Sequence, residues 1–327
     1  MQVVLSSSPS KTDATLVPSW TNLLGTAMHT YHVVDPDACA LRVWEAWKAL
    51  WSFMDAADSN IRKPAAQALD LLVQCFTPSF IQAAVKERNR DEAKSPLGRV
   101  VSQTEKALGA LTYARAVPEV LAVISSLLSG LRYRLENNGP TAAELLLMPV
   151  IVKVAELRVQ KSFEFKEAAD NTLKTAMQVL GPEVLLRELP LNLEPEDRKA
   201  GREPRAFLLP MLAQPHPSPL SHFASYFVPL TERMFDLQQT AESEGRQSEA
   251  KVWSVLVDQI WSGLHGYCYG APDLKTVRVI TYMKKGYILT YFVVIDAPVL
   301  SAPFAAALHS ARAPALCLEG LEGHGRL

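Results

Sequence analysis

His29 and His32 stand three residues apart, a spacing that on a helix puts both imidazoles on one face and suits a metal. No acid or cysteine stands at a fixed offset to complete a coordination set, so both read as ordinary surface or core histidines, and neither metal nor cofactor is expected. Asp258 beside Gln259 offers an acid–base pair. Both fall on a helical stripe made by Trp253, Leu256, Val257, Ile260, Trp261 and Leu264, where they are expected to bond the ends of neighbouring helices or loops, and Trp261 is assigned the same structural role between helix pairs. Asp58 and Arg62 read in the same way, as rungs of hydrogen bonds between successive pairs. Lys86, Arg88 and Arg90 alternate with Glu87, Asp91 and Glu92; a solvated loop is the plain reading, and contact with a phosphate or a partner is the sharper one. Trp44, Trp47 and Trp51 have the chemistry to stack bases, but their helical spacing assigns them to a core. Cys39, Cys75, Cys268 and Cys317 include no CxxC pair and read as reduced, mostly buried thiols of an intracellular protein. No GxxxxGK[ST], HExxH, GxSxG or GxGxxG string occurs, so no catalytic residues and no small-molecule substrate are expected.

The elements that carry these residues are helices. Residues 58–76 open with Asp-Ser-Asn, whose side-chain oxygens cap free backbone N–H groups, and continue with Leu69, Leu72, Val73 and Phe76 on one stripe. Residues 41–54 form a second apolar helix with Trp44, Trp47, Trp51 and Met54 along its side. Two such helices make a unit whose apolar faces stay half-covered until further pairs stack on them. Further stripes follow at residues 118–131, at 145–157 behind a Thr141–Glu144 capping box and with Pro149 inside, at 163–180, and at 223–234. Proline-rich stretches at 194–204 and 214–219 read as exposed turns or linkers. The chain thus divides into a disordered start (1–12), helical repeats (13–180), their continuation (181–276) and a divergent, poorly ordered hydrophobic tail (277–327). Hydrophobic residues at 48%, charged residues at 20% and a net charge of −1 exclude a disordered chain and one held to RNA or membrane by bulk charge alone. Residues 286–308 carry Asp296 as their one formal charge and are long enough to span a bilayer, but Asp296, Pro298 and Pro303 argue against it. No secretory signal opens the chain.

Two sets of residues resemble known proteins. Asp58, Ile61, Arg62, Ala66 and Leu69 look like the second helix of a HEAT repeat. GPEVLLRELPLNL (181–193), PRAFLLPML (204–212), FVPL (227–230), VWSVLVDQIWSGLHGYC (252–268) and APDL (271–274), taken in order, resemble the central domain of the ribosomal RNA processing protein 12-like family. The resemblance covers roughly residues 15–275 and departs from the family where His265 replaces a favoured proline in GLHGYC. It implies an all-α fold, an α-solenoid of HEAT-like antiparallel helix pairs with an irregular C-terminal tail. It also implies a non-catalytic scaffold of the nucleus and nucleolus, bound to pre-ribosomal particle proteins and pre-rRNA during rRNA processing, small-subunit maturation and export. Its likeness in build to karyopherins adds nucleoporins and Ran as partners. Two other functions fit the helical pattern: a regulatory scaffold subunit for a phosphatase or other enzyme, and a membrane-tethered helical adaptor resting on residues 286–308.

Overall fold

The structure, a computed structural model, describes residues 2–88, 95–137, 139–269 and 271–273, together with the backbone of 277–284 and 287–294. The chain forms two compact units, Met1–Val179 and Leu180–Leu327.

The first unit holds α1 (Gln2–Ser6), α2 (Leu16–Val34), α3 (Pro36–Ala40), α4 (Val43–Trp51), α5 (Ser59–Val73), α6 (Pro78–Glu87), α7 (Pro96–Ala107), α8 (Val117–Gly130), α9 (Ala142–Val159) and α10 (Lys166–Leu180), which runs to the unit boundary. Side-chain caps set the helix starts: Asp58 accepts from Asn60 N, Thr77 from Phe80 N, Ser95 from Gly98 N and Thr141 from Glu144 N. α5 is the hub of the unit and packs against α2, α4 and α8. Its Leu69, Leu72 and Val73 are buried as the stripe requires. α9 runs undivided through Pro149, where the sequence predicts a kink or a division. Trp47 and Trp51 are fully buried and stacked at 5.7 Å between centroids. Their indole N–H groups find Gln103 at 3.2 Å and the Tyr113 hydroxyl at 3.1 Å, which is what lets two tryptophans sit in a core. Residues 2–6 are helical where disorder is expected, and the Val4 carbonyl accepts from the Trp20 indole at 3.0 Å.

The second unit holds α11 (Pro182–Glu188), α12 (Pro195–Lys199), a 3-10 helix (Ala206–Ala213), α13 (Leu220–His222), α14 (Val228–Ser243) and α15 (Gln247–Cys268). α15 packs along α14 and the 3-10 helix. Gly266 permits the latter contact: a Cβ there would lie 2.0 Å from the Leu212 carbonyl oxygen and 2.5 Å from that of Gln214. Gly181, at φ +82°, turns the chain into α11 with Ser218 packed where a side chain would stand. Residues 214–219 are not an exposed linker. His216 and Ser218 are buried while Pro215 and Pro217 face solvent. In the tail, β1 (Val277–Lys284) pairs antiparallel with β2 (Tyr287–Val294), with Val277 opposite Val294 and Lys284 opposite Tyr287. The described part of residues 286–308 is therefore a strand and not a membrane-crossing helix. Among the described residues Leu111–Gly130 is long and apolar enough to cross a membrane, yet Val120, Leu121, Ile124, Leu127 and Leu128 are buried in the first unit's core.

Candidate interaction surface

α6 buries Phe80, Ile81, Ala84 and Val85, which turns Lys86 and then Arg88 outward at its C-terminal end. Arg90 lies outside the described residues. The Glu87 carboxylate accepts from Ser95 N and so ties the end of α6 to the start of α7. That acid is engaged internally, and its cationic neighbours face solvent. One turn into α7, Arg99 stands with its guanidinium 5.7 Å from the centre of the Trp44 ring, and Lys48 of α4 stands at 5.7 Å from the same ring. Trp44 is half-buried, unlike Trp47 and Trp51, so the three tryptophans split into two core residues and one at the rim. Lys48, Lys86, Arg88, Arg99 and Trp44 thus lie on neighbouring elements, and their chemistry suits phosphates and unstacked bases.

The residues expected to link helix pairs behave unequally. Arg62 is buried, donates to the carbonyls of Ala56 and Ala57 at 2.9 and 2.7 Å, and pairs with buried Glu119 of α8 at 3.4 Å. Asp58 is not its rung; it caps α5 itself. Glu119 was hidden from sequence reasoning because it stands in an apolar helix start, where an acid usually serves the helix dipole. Asp258 is exposed, and Gln259 is half-buried, with its backbone carbonyl accepting from Ser262. Neither side chain is directed into a seam, because α15 turns Val257, Ile260 and Trp261 inward instead. Trp261 is buried against Phe223 at 5.4 Å. α15 stays helical through GLHGYC to Cys268, with His265 exposed.

Two histidine sites lie elsewhere. His216 and His222 pack on Tyr267, His222 Nδ1 lying 2.7 Å from the tyrosine hydroxyl, and burial pushes both imidazoles down to about 4. Burial also raises the Tyr267 phenol. His32 does not join His29 at a metal face; it meets Cys39 and Cys75. No sequence offset could have shown this, because Cys75 arrives from the far end of α5. Cys39 and Cys75 are free and buried, Cys268 is disulfide-bonded where a reduced thiol is expected, and Cys317 lies outside the described residues.

Comparison with known proteins gives one consistent result. The family described as "Ribosomal RNA-processing protein 12, HEAT repeats" matches residues 55–278. The chain is 30% identical over 270 residues to the putative ribosomal RNA-processing protein 12 of Schizosaccharomyces pombe, covering 82% of this chain and 21% of that protein. It is 23% identical over 290 residues to ribosomal RNA-processing protein 12 of Saccharomyces cerevisiae, with 84% and 22% covered. It is 25% identical over 218 residues to the RRP12-like protein of Homo sapiens, with 66% and 16% covered. The chain spans about a fifth of the length of the yeast relatives it matches.

Proposed function

The chain belongs to the ribosomal RNA-processing protein 12 HEAT-repeat family, and from that premise we propose that it is a non-catalytic scaffold segment that docks on pre-ribosomal particles during pre-rRNA processing and small-subunit maturation. The observation that carries this reading is the family match over residues 55–278, which spans the helix pairs of both units. Helix pairs of this kind work through area: their ridges offer broad surface, and polar side chains at helix ends reach a partner. In the first unit the basic and aromatic edge made by Lys48, Lys86, Arg88, Arg99 and Trp44 is the part suited to RNA. The setting is the nucleus and nucleolus. Export of the assembled particle, with nucleoporins and Ran as contacts, is the further step of the same reading.

The test is recovery of pre-rRNA and pre-ribosomal proteins on the tagged chain from nuclear extract, beside a variant carrying Lys48→Glu, Lys86→Glu, Arg88→Glu and Arg99→Glu. Purified chain is then titrated with single-stranded pre-rRNA segments over a range of salt. Each phosphate contact removed lowers the slope of log K against log salt by about 0.7, so loss of four lowers it by about 3. Recovery of neither RNA nor ribosome-assembly proteins would overturn the scaffold reading. An unchanged slope in the fourfold variant would move the RNA contact off this edge.

A further inference from the structure

Three side chains able to ligate a metal converge where α2, α3 and the end of α5 meet. His32 lies in the last turn of α2, Cys39 in α3 and Cys75 just past α5, and one imidazole nitrogen and both sulfurs lie within 4.8 Å of one another. Both thiols are buried and free. Each thiol meets a backbone carbonyl only: Cys39 Sγ donates to that of Met28 at 3.4 Å and Cys75 Sγ to that of Leu71 at 3.5 Å. His32 Nδ1 is buried without a hydrogen-bond partner, a polar atom left unsatisfied by the protein alone. We propose that His32, Cys39 and Cys75 form a structural site for a thiophilic divalent cation of the zinc type, stapling the α2–α3 corner to the end of α5.

The donor set selects the ion. Two sulfurs and an imidazole suit zinc and reject magnesium and calcium, which take oxygen ligands. The size is right as well. Bonds of about 2.3 Å to sulfur and about 2.1 Å to nitrogen in tetrahedral geometry put sulfurs about 3.8 Å apart and sulfur and nitrogen about 3.6 Å apart. Closing from within 4.8 Å needs a contraction of about 1.2 Å at most. The charges balance on binding. Each S–H bond breaks as a sulfur–metal bond forms, two protons leave to solvent, and the neutral imidazole adds a lone pair. The two thiolates cancel the cation's charge, which permits its burial. Water takes the fourth position, on the half-exposed His32 side.

The test uses the whole chain, reduced and stripped with a chelator, then titrated with Co²⁺. The expected result is one cobalt per chain, with a thiolate-to-cobalt charge-transfer band and tetrahedral d–d bands, both removed by added Zn²⁺. Cys39→Ala and Cys75→Ala abolish the bands. His32→Asn, which removes a direct ligand at a half-buried position, weakens binding by at least about 100-fold, more than the loss of an outer-shell partner costs. His29→Asn leaves binding unchanged. Absence of the charge-transfer band in the reduced chain would overturn the proposal, as would bands that persist in His32→Asn with unaltered affinity. Oxidation of the stripped chain to a Cys39–Cys75 disulfide, with no cobalt uptake after reduction, would likewise replace the metal site with a redox pair.

Discussion

Removing Glu119 should unfold the first unit more readily than removing the pair that contains it. Arg62 and Glu119 expose only 8% and 7% of their side chains and stand 3.4 Å apart, one on α5 and one on α8. At that distance the Coulomb attraction is about 5 kcal/mol for an effective dielectric near 20. Desolvating both ions offsets most of it, so an apolar pair of similar volume is close to neutral. Glu119→Ala is different, since it leaves a guanidinium buried with only the Ala56 and Ala57 carbonyls as acceptors. Loss of one partner from a buried pair costs about 3–5 kcal/mol, and the two carbonyls place this case near about 3 kcal/mol. The assay is urea unfolding of the parent, Glu119→Ala, Arg62→Met, and a double variant with Arg62→Met and Glu119→Leu. The double variant should lose less than Glu119→Ala alone, a coupling of about 2 kcal/mol read as a midpoint shift at constant m. Additive losses, or a Glu119→Ala loss under about 1 kcal/mol, would refute the view that this pair joins two helix pairs through buried charge.

Two further outcomes concern the second unit. Burial pushes His216 and His222 down to about 4, below the unfolded value near 6.5. The unfolded chain therefore binds protons between pH 6.5 and 4 that the folded chain does not. Stability is full above about pH 6.5, falls as pH drops through that window and levels off below about 4, by up to about 3 kcal/mol for buried His216 and less for half-exposed His222. A urea midpoint that does not change over this range, or that changes equally in His216→Phe, would contradict the assignment. Gly266→Ala drives a Cβ against the Leu212 and Gln214 carbonyls and should cost about 1–3 kcal/mol, while Gly109→Ala, facing only the flexible end of Lys153, should be nearly neutral in the same urea unfolding.

The helices were legible because periodicity reports burial directly. Ala169, Leu173, Ala176 and Met177 of α10 all lie inside, as their spacing requires. What resisted reading depends on the partner and not on the element. The sequence places Arg62 in a polar seam, but its charged partner lies in α8, and no local pattern connects them. Asp258 occupies a helix whose inner face was correctly identified, and it points the other way. Composition misleads at residues 214–219, since proline content says nothing about which neighbouring side chains the fold covers. The His32, Cys39 and Cys75 cluster was illegible for the same reason as the ion pair: it is assembled by tertiary packing alone.

Why a set of short, scattered strings should identify a family better than any one helix follows from how the second unit packs. Leu191 and Leu193 of LPLNL are buried. Arg205 of PRAFLLPML donates its backbone N–H to the Leu191 carbonyl and its side chain to that of Pro190, both at 2.8 Å. The far end of that string, Leu212, lies against Gly263 and Gly266 of the VWSVLVDQIWSGLHGYC helix. Asp273 of APDL accepts from Leu220 and Ser221 N at 2.7 and 2.8 Å, at the start of α13. LPLNL, PRAFLLPML and the VWSVLVDQIWSGLHGYC helix thus pack as one cluster, each meeting the next through close backbone contact that few side chains satisfy. A single amphipathic helix meets no such condition, since any apolar residue of suitable size will serve on its stripe. Strings in mutual contact restrict one another's residues, so their order and spacing together are more specific than any one stripe.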